Sequence, residues 1–215
     1  MKKLINILFL VFFTTQILHA QRIEQVFVQM PDVLNPVISR QQRVELLEFF
    51  KAEMGDSIRN RFGTQTRLLK LDAENNHIVL QNTDISTIEI KLIPHRNDTI
   101  IGFIRTVCSQ ICQSSISFFN LRWQPRVDIS FTFPQAVDWI IPEQLAESNL
   151  NSRQVQNILQ TGFISLAFDG ATNQIIATNN SLQFLDQTNQ ELIAPLMNNV
   201  TLMYRLGNNR RWERN

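Results

Sequence analysis

Between residues 69 and 123 short strand-like segments, several alternating apolar and polar side chains with a period of two, are separated by short turns. That pattern restricts the fold more than any other feature, because a period of two places every second side chain on one face of a strand. Leu69 and Leu71 alternate with Lys70 and Asp72, and the chain returns over 77–81 after the turn Glu74-Asn75-Asn76. Ile88, Ile90 and Leu92 share a face of the segment 85–93. A turn at 94–98 then leads into a pair of strands at 99–107 and 114–123. Connections this short join antiparallel neighbours, so the expectation is a meander with one packed and one solvated face.

The flanking segments extend this frame. Residues 23–29 alternate around Val26 and Val28 and are expected as a strand, ended by Met30-Pro31-Asp32. Ser39-Arg40-Gln41-Gln42 has the form of a capping box. Val44, Leu47, Phe50 and Met54 recur at helical spacing behind it, and Gly55 is a C-cap candidate, which predicts a long helix over 40–54. Pro125, Pro134 and Pro142 punctuate 124–151, expected as an irregular connection. Val155, Ile158 and Leu159 suggest a short helix ending at Gly162. A hairpin over Asp169-Gly170 follows. A second capping box at Thr188-Asn189-Gln190-Glu191 starts a helix that Pro195 must shorten or kink. Strands at 200–206 and 210–212 close the chain across Gly207-Asn208-Asn209. The resulting fold class is α+β: antiparallel β-meanders with one long N-terminal helix and one or two short C-terminal helices.

The first twenty residues concern address. Lys2 and Lys3 precede a mostly apolar run over 4–18, and small Ala20 stands at a cleavage point before Gln21. This is the layout of a secretory signal peptide, and the run is short for a membrane span. The expectation is a leader over 1–20 and a single domain over 21–215, or two lobes with a boundary near 124–151. No second long apolar segment follows, so no membrane span is expected in the mature chain. A domain of this size buries roughly 70% of its unfolded surface and needs no metal to fold. Loss of Lys2 and Lys3 with the leader turns the formal charge from +1 to −1. A near-neutral balance argues against nucleic acid as a partner. The one basic cluster, Arg205, Arg210, Arg211 and Arg214 around Trp212, is either a solvated hairpin or a patch for an anionic partner.

Cys108 and Cys112 flank Ser109-Gln110-Ile111 at the tip of the expected hairpin. In an exported protein two such cysteines are normally paired, and residues facing each other across a hairpin sit near disulfide distance. Unpaired thiols are one alternative and a redox site is the other. The redox reading departs from Cys-x-x-Cys spacing and lacks the strand-to-helix context that activates a thiol.

Residues for catalysis are sparse. His77 and His95 survive cleavage, each in or beside a turn, without a second His or Cys at ligand spacing. No Gly-x-Ser-x-Gly elbow and no glycine-rich phosphate loop occur. Glu45, Glu48 and Glu53 fit a solvated helix face; with one tyrosine and three tryptophans the chain is not an obvious carbohydrate-binding module, and Trp123, Trp139 and Trp212 fit core or rim packing rather than sugar platforms. No catalytic, cofactor or metal residue is therefore assigned. Asp56-Ser57-Ile58 and Asp98-Thr99-Ile100 have the Asp-Ser/Thr-aliphatic form of periplasmic O-glycosylation acceptors in Bacteroidetes, which makes Ser57 and Thr99 candidate acceptors or ordinary turn residues.

The run Val26-Phe27-Val28-Gln29-Met30-Pro31-Asp32 precedes Asn35-Pro36 and a helix carrying Arg43, Glu45, Leu46, Leu47, Glu48 and Phe49. Strands over 68–92, then Thr106-Val107-Cys108 to Cys112, then Trp123-Gln124-Pro125 complete the series. In order and spacing this resembles a family of exported Bacteroidales proteins of unknown function. The resemblance implies an envelope address and a paired cysteine hairpin, and it transfers no activity. Export, neutrality and the lack of an assembled site point to a non-catalytic envelope protein that binds or assists an envelope partner. A hydrolase of envelope or dietary polymers and a periplasmic thiol oxidoreductase are the alternatives.

Overall fold

A computed structural model describes residues 23–198 and 201–215. The expected leader over 1–20 lies outside the described residues. The architecture is mostly β, with a six-stranded and a four-stranded antiparallel sheet and short helices. This corrects the α+β expectation with one long N-terminal helix.

The N-terminal region holds two short helices, α1 (Ile23–Gln29) and α2 (Arg40–Lys51). The strand expected over 23–29 is a helix. Ile23, Val26, Phe27 and Met30 stand at i, i+3, i+4 and i+7, and all four are buried. Burying that stripe outweighs the local alternation of Val26 and Val28. Helix α2 starts at the expected capping box: Ser39 Oγ accepts from the Gln42 amide at 3.2 Å, and Gln42 Oε1 accepts from the Ser39 amide at 2.9 Å. It ends three residues before the expected 54. Glu53, at φ +55°, takes the left-handed position that reverses the chain, ahead of Gly55.

Six strands follow in meander order: β1 (Ser57–Arg59), β2 (Gln65–Asp72), β3 (His77–Thr83), β4 (Ser86–His95), β5 (Asp98–Cys108) and β6 (Cys112–Phe119). Each pairs antiparallel with its neighbour, as the short turns require. The sheet is covered on both faces. Ile88, Ile90, Leu92, Ile101 and Phe103 pack with α1 and α2 in one core. Ile93, Ile100 and Ile104, on the opposite side of the same strands, pack in a second core against the four-stranded sheet. The face expected to be solvated is thus an interior.

The chain crosses to the second sheet through 120–163. This segment is more ordered than an irregular connection. It contains a 3-10 turn at Ala136–Trp139 and helices α3 (Pro142–Glu147) and α4 (Ser152–Ile158). Pro142 begins α3, where a missing N–H costs no intrahelical bond. Asn151 and Gln154 form the capping box of α4. The second sheet comprises β7 (Ile164–Phe168), β8 (Ile175–Asn179), β9 (Leu202–Leu206) and β10 (Trp212–Arg214), in order β10-β9-β8-β7. Between β8 and β9 lie helix α5 (Gln187–Ile193) and two 3-10 turns, Ser181–Phe184 and Ala194–Leu196. The α5 cap is Asp186, whose carboxylate accepts from the Asn189 amide at 2.9 Å. The capping box expected from Thr188 therefore does not form. Pro195 shortens the helix as expected, into the 3-10 turn.

Candidate functional site

Two places gather side chains that could act: a cleft beside the second sheet and a charged cluster between the sheets. The cleft has a volume of about 480 Å³. Residues 133–137 form one wall, the end of α4 and the lead-in to β7 form the other, and Gln113 of β6 closes one side. Val155 and Leu159 anchor α4 in the second core, which leaves Gln156 and Gln160, one position further along, on the cleft side. With Gln113 and Gln135 they give the cleft four carboxamides, set beside Phe133, Pro134 and Val137. Phe133 is 37% exposed and meets Phe131 edge-on at 6.0 Å. No side chain lining the cleft among the described residues is titratable. Each carboxamide offers both donors and acceptors.

The charged cluster is closed at His77, Glu89 and Lys91 and reaches the surface at Lys70. His77 Nε2 lies 2.6 Å from Glu89 Oε1, and the same oxygen accepts from the Phe168 amide at 3.0 Å. His77 Nδ1 is 3.3 Å from Lys70 Nζ. An ammonium can only donate, so Nδ1 accepts and the ring is held as the Nε2–H tautomer. Lys91, fully buried, donates to the carbonyls of Asn75 at 3.0 Å and Gly170 at 2.7 Å. Burial pushes the Lys91 pKa below its ordinary value, with Asp72 pulling the other way. The Asn75 backbone and side-chain amides hold the Asp72 carboxyl down at about 2. Lys70 pairs with Asp72 at 3.5 Å. Gly102 faces Lys91 in the register, and a Cβ there would strike the Phe168 ring that packs at His77.

An imidazole held by a carboxylate is the orienting half of a general base. Here the other ring nitrogen meets an ion-paired amine instead of a hydroxyl or thiol, and the side chains of His77 and Glu89 are 3% and 11% exposed. The cluster clamps the hairpin of β7 and β8 onto β3 and β4. Glu89 and Lys91 gave no sign of this in sequence because they alternate with Ile88, Ile90 and Leu92, as a solvent face would. The available signal was the nearly unbroken apolar run from Ile100 to Ile104 on β5, which marks a strand covered on both sides.

The other candidates lie apart. Cys108 and Cys112 are register partners at the tip of β5 and β6, with Sγ atoms 2.04 Å apart. His95 donates through Nε2 to the Gly207 carbonyl at 3.1 Å, far from His77 in the topology. Ser57 opens β1 and Thr99 lies near the start of β5, both half-buried. Their neighbours Asp56 and Asp98 are paired with Arg67 at 3.5 Å and Arg126 at 2.5 Å. Of the C-terminal arginines, Arg210 binds Asp128 at 2.5 Å, and Arg205 faces Glu213. Trp123, Trp139 and Trp212 are all buried, and Trp212 stacks on Phe118 at 5.7 Å. A more open depression of about 480 Å³ at the end of α2 is lined by Phe50, Glu53, Gly55 and Asp56. It sets two carboxylates on one rim, one of them already paired.

A family model described as a protein of unknown function, DUF3256, matches residues 15–210. The chain belongs to the DUF3256 family. The fold of this chain is also similar to a domain of an uncharacterized protein from Porphyromonas gingivalis W83, with TM-score 0.74 and 18% identity over 89% of this chain and 96% of that one. At that identity the likeness speaks for the fold. No curated protein matches the chain. The function of this DUF3256 chain is unknown, in line with the resemblance drawn from its motifs. A cysteine pair at disulfide distance fits an oxidising compartment. No helix among the described residues is long and apolar enough to cross a membrane.

Proposed function

We propose that this chain is an exported protein of the cell envelope that acts by binding, as a non-catalytic accessory to an envelope partner. The observation that carries this reading is that the buried acid–base cluster lies apart from the glutamine-lined cleft. The acid–base side chains His77, Glu89, Lys91 and Lys70 are engaged with one another and with backbone between the sheets. The cleft is lined instead by carboxamides and apolar groups. Such a lining suits recognition, since a few placed polar groups orient a ligand over an apolar floor. The leader-like start and the cysteine pair support export. Ser57 and Thr99 belong to the same reading as envelope glycan acceptors, testable by the intact mass of natively secreted protein.

The deciding experiment is capture of native protein from an envelope fraction, with wild type beside Gln156→Ala/Gln160→Ala. Retention of one defined component by wild type and its loss by the variant supports the reading. Turnover of an envelope polymer by the purified chain, with no component retained, sinks it. N-terminal sequencing of exported material should begin at Gln21.

A further inference from the structure

We infer that the glutamine-lined cleft is a binding site for an uncharged oligosaccharide segment. This rests on the proposed binding role and names the chemistry of its ligand. Gln113, Gln135, Gln156 and Gln160 reach the cleft from β6, the lead-in to the 3-10 turn at 136–139 and the end of α4. Three properties of that lining select the ligand.

The first is neutrality. Carboxylates, phosphates and ammonium groups find no counter-charge among the described lining residues, and would give up hydration without return. The second is the pairing pattern. A carboxamide places a donor and an acceptor side by side. Adjacent hydroxyls on a sugar ring can each donate and accept, so they match a carboxamide in either orientation. Peptide groups have fixed donor and acceptor ends and are best held along an open strand edge. The cleft meets the outer strands β6 and β7 only at Gln113 and Ile164, so the site offers mainly side-chain amides rather than a long strand ladder. The third is Phe133. Its partly exposed ring is an apolar surface among the amides, on which the C–H face of a sugar can rest while its hydroxyls turn to the glutamines.

The anchoring of the walls makes the site testable without unfolding the protein. Gln113, Gln156 and Gln160 are exposed, while Val155 and Leu159 hold the helix from the core side. Truncating two of the amides removes ligand bonds and leaves the scaffold. Each net hydrogen bond lost weakens binding a few-fold, so the double variant should bind about tenfold more weakly.

The experiment is amide NMR of the full mature chain titrated with neutral pentasaccharides of glucose, mannose and N-acetylglucosamine, and with an uncharged serine- and asparagine-rich octapeptide. The expected result is shift changes confined to residues 113, 133–137 and 156–164 with at least one pentasaccharide. Affinity should fall about tenfold in Gln156→Ala/Gln160→Ala. It should change little between low and about 0.5 M salt, where exposed charge pairs are screened. Phe133→Leu should also weaken binding, with an unchanged spectrum outside the cleft. If the octapeptide shifts these residues and no pentasaccharide does, the oligosaccharide assignment is overturned and the binding role stands. If neither ligand shifts them, and envelope capture is the same for wild type and double variant, both fall.

Discussion

Replacing Glu89 with alanine tests whether the charged cluster holds the two sheets together. In the native fold one carboxylate oxygen accepts from the His77 imidazole at 2.6 Å and from the Phe168 amide at 3.0 Å. Glu89→Ala removes that shared acceptor and leaves two buried donors unpaired. Each of the two orphaned donors costs about 1–3 kcal/mol, about 2–6 kcal/mol together. The expected loss lies in the middle of that range, about 3–5 kcal/mol. With a urea dependence of about 2 kcal/mol/M, the unfolding midpoint should drop by about 1.5–2.5 M, or Tm by about 10 °C. Glu89→Gln keeps an oxygen that can accept from both donors and loses only the charge, so it should cost clearly less than Glu89→Ala. The cycle with His77→Ala should show a coupling of about 1–3 kcal/mol, because both residues serve one network. A midpoint shift below about 0.5 M for Glu89→Ala would refute the reasoning. Water would then be reaching the orphaned donors, and the space between the sheets would not be dry.

Three further outcomes follow from the same geometry. Lys91→Met should match or exceed wild type in stability near neutral pH, because burial disfavours the Lys91 ammonium. The folded pKa lies below the unfolded one, so the unfolded chain binds more protons in the window just below 10.5, and wild-type stability should rise with pH there relative to Lys91→Met. Asp72 should titrate near 2 by carboxyl-carbon NMR, with its stabilisation present above its ordinary 3.8 and lost as pH falls through about 2; Asn75→Ala should move the midpoint back toward 3.8. Cys108→Ser/Cys112→Ser should fold with the same amide spectrum away from the hairpin tip and lose about 2 kcal/mol in urea titration, the value for closing so small a loop.

How much was legible in the sequence depended on whether a residue's partners were local. The β2–β6 meander, the turn at Asp169-Gly170 and the Ser39–Gln42 capping box are decided by neighbours within a few positions, and they are present as expected. The segment 23–29 satisfied two periods at once. Val26 and Val28 fit a strand, while Ile23, Val26, Phe27 and Met30 fit a helix, and only the core beneath α1 and α2 decides between them. The cleft was not legible, since its lining is drawn from three separate stretches and glutamine carries no motif. The charged cluster was misread for a related reason. A charged alternate position on a strand signals solvent unless something covers it, and the cover here arrives from residues some eighty positions later.

That late cover also explains why the buried charges sit where they do. Apolar burial between two sheets has no direction, and Ile, Leu and Phe side chains would tolerate a hairpin displaced by one residue at modest cost. A one-residue slip of β7 would reverse which side chains face inward. Four directional contacts oppose it: Leu166 N to Ser114 Oγ at 2.8 Å, Phe168 N to Glu89 at 3.0 Å, Lys91 to the Gly170 carbonyl at 2.7 Å, and Asn180 to the Cys112 carbonyl at 3.1 Å. They run along the hairpin from the sheet interior to the disulfide tip, and each requires one position of the second sheet on the first. The lead-in to β7 forms one wall of the glutamine cleft and Gln113 of β6 closes its side. A slip at the clamp would therefore also move Gln113 relative to Gln156 and Gln160. The directional contacts of the clamp, two of them made by the interior charges Glu89 and Lys91, thereby hold the spacing of the uncharged groups in the cleft.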